Sequence, residues 1–174
     1  MIARATHQDL GDRNDTRGTL DLRAVSSSGG IEYPRWTFRT FEKWRAAEIF
    51  DRGFFVLQFD TFGDTHFDYY ALLRSEGGRL KGSLHRDFVR RRDERVSGLN
   101  LSRPGRSSVR VRVPLKKMKF GERFDYRWVS QSLWTGPKCR NVCIDRAPDR
   151  GAVVEPEPAT TISPTVTVVP SPTD

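Results

Sequence analysis

Hydrophobic and polar positions alternate with a period of two along most of this chain. Leu20, Leu22 and Ala24 are separated by Asp21 and Arg23, and Trp36, Phe38 and Thr40 by Thr37 and Arg39. Successive side chains of a strand point to opposite faces, so this spacing predicts half-buried β-strands. The clearest case is residues 108–115, with Val109, Val111 and Val113 facing inward and Arg110 and Arg112 outward. The run GFFVLQFD (53–60) is almost wholly apolar, as in a strand covered on both faces. FDYYALLRS (67–75) follows a glycine-containing turn, and RLKGSLHR (79–86) follows Gly77 and Gly78, a hairpin signal. Residues 124–134 complete the series, with Phe124, Tyr126 and Trp128 on one face.

Helical spacing is confined to two stretches. Residues 41–52 place apolar side chains at 41, 44, 47 and 50, which allows a short helix or helical turn. Residues 114–121 place Leu115 and Met118 three apart, which allows a single turn. Short strands broken by Gly, Pro, Asp and Ser predict an all-β protein: an antiparallel, jelly-roll-like β-sandwich of about eight or nine strands, with at most one or two short helices. The expected organisation is a polar N-terminal segment at 1–18, the sandwich at 19–152 and a flexible tail at 153–174. That tail holds five of the ten prolines together with Thr and Val, a composition suited to an extended stalk or linker.

Charge sharpens this division. The chain of 174 residues has a formal net charge of +8. All 30 Lys and Arg lie in residues 1–154 with 19 of the 22 acids, so the body carries +11. Such a surplus attracts polyanions at low salt. The densest basic stretch, 85–96, offers Arg86, Arg90, Arg91, Arg92 and Arg95 as a polyanion or nucleic-acid site. It also holds Asp87, Asp93 and Glu94, so a solvated, charge-defended loop or edge strand is the favoured interpretation of it. No run reaches the ~18 apolar residues of a membrane helix.

Chemistry-bearing clusters are few. Asp12, Asn14, Asp15 and Asp21 offer hard oxygen ligands near one loop, with Gly18 permitting a tight turn. Asp145 and Asp149 form a second acidic patch near the other end, and they reach the first if the outermost strands lie side by side. Calcium is the cofactor these donors suggest; the alternative is that Asp and Asn simply build turns. Asp60, Asp64 and Asp68, beside His66, are the candidates for a hydrolase built on paired carboxylates. Trp44 and Trp134 fall outside the clean alternation and are candidates for exposed platforms under sugar rings. No Gly-x-Ser-x-Gly elbow, Walker loop or dinucleotide fingerprint occurs, so no nucleotide is expected.

Cys139 and Cys143 lie four apart, without the partners of a zinc site. A local disulfide is the favoured pairing and points to an oxidising compartment; two free cytosolic thiols are the alternative. The N-terminal residues carry no apolar signal region, so export requires that Met1 not be the biological start. An extracellular or cell-surface location is therefore expected on the disulfide and the tail, and a cytoplasmic one on the N-terminus.

The order of these motifs resembles a family. Asp12, Gly18, Leu20, Asp21 and Leu22, followed by RWTFRTF, GFFVLQFD, FDYYALL and VRVRVPL, are similar to DOMON-like β-sandwich domains, including the carbohydrate-binding-like modules of bacterial exported enzymes. The resemblance spans roughly residues 12–130. It implies a sandwich fold and a sugar, haem or calcium ligand, or none. Met118 and the three histidines stand in no matching context for axial ligation, so haem is not carried over. The expected function is a non-catalytic, exported or surface-associated module, calcium-stabilised and binding carbohydrate or cell-wall polymer. Intracellular polyanion binding and hydrolysis are the alternatives.

Overall fold

The computed structural model describes residues 8–30, 33–122 and 125–155. Eleven strands are formed among them: β1 (Gln8–Gly11), β2 (Leu22–Ser28), β3 (Arg35–Thr40), β4 (Gly53–Asp60), β5 (Tyr69–Glu76), β6 (Arg79–Arg86), β7 (Glu94–Gly105), β8 (Ser108–Arg112), β9 (Tyr126–Gly136), β10 (Cys139–Ala147) and β11 (Val153–Glu155). All pairings are antiparallel. The strands run in the order β1-β2-β3-β8-β7-β6-β5-β4-β9-β10, and β11 joins β9 beside β10. The all-β antiparallel expectation holds, with more strands than the eight or nine expected.

The sheet is continuous but curled, and β7 is where it turns. The first part of β7 pairs with β6 and the second part with β8. Two halves thus face each other across one core. Trp36 and Phe38 come from one half, and Phe55, Phe59 and Trp128 from the other; all five are fully buried. Trp36 meets Phe59 at 5.3 Å and Trp128 at 6.2 Å, edge to face, and Phe38 meets Phe55 at 5.2 Å. Such ring pairs add about 0.5–1.5 kcal/mol each beyond their area burial.

The curl brings β2 against β9, β10 and β11. The Leu22 backbone N–H donates to Asp145 on β10, and the Ser132 hydroxyl on β9 donates to the Leu20 carbonyl. Ser27 on β2 and the Trp128 indole N–H both donate to Glu155 on β11. The predicted boundaries therefore shift. β1 lies within the polar segment 1–18 and pairs with β2, and β11 continues the sheet past residue 152. Residues 156–174 of the expected tail, and Phe124 of the expected β9 face, lie outside the described residues.

Residues 41–52 form turns, not a helix. Their backbone bonds are isolated, such as Glu48 N–H to Arg45 and Gly53 N–H to Ile49; of the stripe only Trp44 is buried, joined by the off-stripe Ile49, while Phe41, Ala47 and Phe50 are exposed. Leu115–Lys117 is a single 3₁₀ turn, within the stretch where one turn was expected. β10 carries a bulge between Cys139 and Cys143, and a disulfide joins these two residues.

Candidate metal centre

The acidic cluster grows from the β1–β2 connection. The Asp12 N–H still bonds to the Arg23 carbonyl, so Asp12 sits where the β1–β2 ladder ends. The chain then folds tightly, with the Asp15 N–H on the Arg13 carbonyl, and returns through Gly18. Gly18 has φ +130°, and an added Cβ would lie 2.3 Å from Trp134 Cδ1. Only glycine lets the loop lie flat on that indole. Asp21 follows at the entry to β2, where its N–H bonds to Gly18 and its carbonyl accepts from Phe41.

Asp145 comes from β10, opposite Ser132 of β9. One oxygen from each of Asp12, Asp15 and Asp145 lies within 4.8 Å of the others. Asp21 and Asp145 are within hydrogen-bonding reach of each other, and the charge of Asp149 bears on Asp12. Asn14, Asp15, Gly18 and Asp21 line an adjoining open cleft of about 650 Å³, bordered by Lys138 and Glu42. Those two side chains pair with each other.

The electrostatics of the cluster are unbalanced. Burial, then repulsion from Asp145, Asp149 and Asp15, pushes the Asp12 carboxyl up to about 6 from 3.8. Burial also pushes Asp21 and Asp145 up to about 6, with neighbouring carboxylates adding to it. Two oxygens, Asp12 Oδ2 and Asp21 Oδ1, are buried without a hydrogen-bond partner. A buried acceptor without a donor costs about 1–3 kcal/mol, more when charged. The donors are all hard oxygens, the set that suits calcium or magnesium rather than zinc or copper.

The remaining sequence candidates fall elsewhere. Trp44 and Trp134 are 2% and 4% exposed, which corrects the expectation of exposed sugar platforms. The Trp44 Nε1–H donates to Thr40 Oγ1 and its ring is covered by the Arg103 guanidinium at 3.6 Å; the Trp134 Nε1–H donates to the Pro137 carbonyl. Trp44 enters the core from the 41–52 turns, whereas Trp134 continues the inward face of β9 with Trp128, Ser130 and Ser132. Arg86 and Arg91 lie over the Phe88 ring, Asp93 accepts from the Tyr70 hydroxyl and the Phe88 N–H, and Arg90, Arg92 and Arg95 are exposed beside Glu94.

Asp60, Asp64 and Asp68 frame the β4–β5 turn. Asp60 accepts from the N–H groups of Phe62, Gly63 and Thr65, Asp64 from that of His66, and Asp68 from Thr61. The chain matches no family model, no curated protein and no solved structure.

Sequence reasoning passed over Glu155, assigned to the tail, although it is buried and bridges Ser27 and Trp128. The sequence carried no signal for it, because the apolar Val154 is exposed while the charged Glu155 is buried.

Proposed function

We propose that this chain is a non-catalytic β-sandwich module, working in an oxidising extracellular or surface setting, in which one calcium ion clasps the first loop to the penultimate strand. Asp12, Asp15, Asp21 and Asp145 are the protein ligands, with Asn14 and Asp149 at the rim. The observation that carries the proposal is the convergence of Asp12 and Asp15 with Asp145, across more than 120 positions, around buried oxygens that lack donors. A divalent cation would satisfy those oxygens and neutralise the repulsion between the carboxylates. The disulfide supports the setting, because such bonds persist outside the reducing cytosol.

Calcium is favoured over magnesium. Asp12 and Asp15 are at least partly exposed and leave room for the six to eight oxygens calcium takes, whereas magnesium demands a tight octahedron. The test is a thermal melt of the chain in calcium, in magnesium and in chelator. A melting temperature several degrees higher in calcium than in chelator supports the clasp. Identical melts in all three would refute it.

A further inference from the structure

The face of the β2-β3-β8-β7 half turned away from the core carries a second feature, which the sequence divides between distant segments. The pairing registers align its outward residues in rows. Ser28, Arg35, Arg112 and Asn100 form one row across the four strands. Ser26, Thr37, Arg110 and Ser102 form the next, and Ala24, Arg39 and Ser108 a third. Rows lie about 7 Å apart and neighbouring strands about 4.8 Å apart.

Arg35 and Arg112 stand directly opposite each other, an arrangement that destabilises a sheet. Arg39 pairs with Asp9 at 3.7 Å, while no described carboxylate forms an ion pair with Arg35, Arg110 or Arg112. The side chains are held flat: Arg110 Nε donates to Thr37 Oγ1 at 3.0 Å, and Arg39 donates to Ser26 Oγ at 3.1 Å. Lys116 adds charge at the border, where it and Arg112 both cover the Tyr33 ring. Like charges gathered on a flat face work against folding, and a bound anion removes that penalty.

We propose that this arginine face binds an acidic polysaccharide, a chain of repeating carboxylate or sulfate groups. Charge complementarity selects an anionic polymer. The exposed Asn100 and Ser102, with the half-buried Ser28, lie in the same rows as the arginines and offer hydrogen bonds to sugar hydroxyls. Nucleic acid fits less well. Single-strand binders stack bases on exposed rings, and these rows present none; the bordering Tyr33 is already covered by cations. In the oxidising setting proposed above, which the disulfide supports, polysaccharide is the polyanion at hand. This face is separate from the aspartate cluster, so it stands or falls independently of the calcium clasp.

The test titrates the full chain, in chelator, with polygalacturonate, neutral dextran and single-stranded DNA over a range of salt. Wild-type protein is expected to bind polygalacturonate in a salt-dependent way and to ignore dextran. The double variant Arg35→Gln/Arg112→Gln should bind about tenfold more weakly, with a shallower salt slope. Its melt should be no lower than wild type, since the opposed charges are gone. The control Arg90→Gln/Arg92→Gln removes the same charge from the β6–β7 loop and should bind as wild type. The proposal is overturned if the face variant binds normally, if both variants weaken binding equally, or if DNA binds more tightly than polygalacturonate at the same salt.

Discussion

Asp145 Oδ2 accepts the Leu22 backbone N–H at 2.5 Å, joining β10 to the first residue of β2 across 123 positions of sequence. The other oxygen of the same carboxylate accepts the Arg146 N–H at 2.7 Å. Asp145 therefore has two duties: it stitches the ends of the curled sheet and offers charge to the aspartate cluster. Asp145→Asn should separate poorly into these parts. An amide has one acceptor oxygen, so one of the two N–H groups would face another donor. The variant should lose about 1–3 kcal/mol in denaturant melts even without cation.

Asp15→Asn isolates the second duty. Asp15 is exposed, and its carboxylate accepts a long bond, 3.4 Å, from the Thr16 hydroxyl. Its removal should leave the chelator melt unchanged or slightly raised, because one repelling charge is gone. The calcium-induced rise in melting temperature should largely disappear. Paired melts of wild type and variant, with and without calcium, check this.

The pH dependence follows from the same cluster. Asp12, Asp21 and Asp145 titrate at about 6 in the folded chain, above the 3.8 of a free aspartate. The folded state therefore holds more protons than the unfolded state between these values. This contribution to stability is fully present below about pH 4 and is lost as pH rises through about 6. In chelator the melting temperature should fall from pH 5 to pH 7. Calcium competes with those protons, so its stabilising effect should be largest at pH 7 and fade toward pH 5.

The disulfide closes the bulge two residues before Asp145. Cys139→Ser/Cys143→Ser opens a five-residue loop, which on chain-entropy grounds costs about 2 kcal/mol. Urea melts of the double variant under non-reducing conditions measure this. Wild type in reductant should show the same loss.

Gly18 couples the metal loop to the core. Gly18→Ala would drive a Cβ into the Trp134 ring at a φ that L-residues rarely adopt. A loss of about 2–4 kcal/mol is expected, together with a weaker response to calcium because the loop moves off the indole. Denaturant melts and the calcium shift of this variant check both parts.

Much of the fold was legible where one face of a strand is apolar. Val109, Val111 and Val113 announced a strand, and all three are buried. β1 and β10 were not legible, because their sequences, QDLG and CRNVCIDRA, carry little alternation and are held by neighbours and a disulfide. β7 was hidden for another reason: it serves both halves and exposes much of its length. Among site residues, the meeting of Asp12 and Asp15 with Asp145 followed from expecting the terminal strands to lie side by side. The arginine rows did not, since Arg35 and Arg112 become neighbours only through the β3–β8 register. Trp134 misled because the inward face of β9 runs to it through the polar Ser130 and Ser132, which hide the alternation, and Trp44 because it enters the core from a turn.

The calcium clasp is tested most directly by equilibrium dialysis of the full chain against calcium at pH 7, beside Asp15→Asn. Wild-type protein should bind one ion per chain, with a dissociation constant of about 10⁻⁴–10⁻³ M as in extracellular calcium modules, and the variant should lose that binding or weaken it strongly. No bound calcium at about 10 mM, well above that range, or equal binding by both proteins, would contradict it.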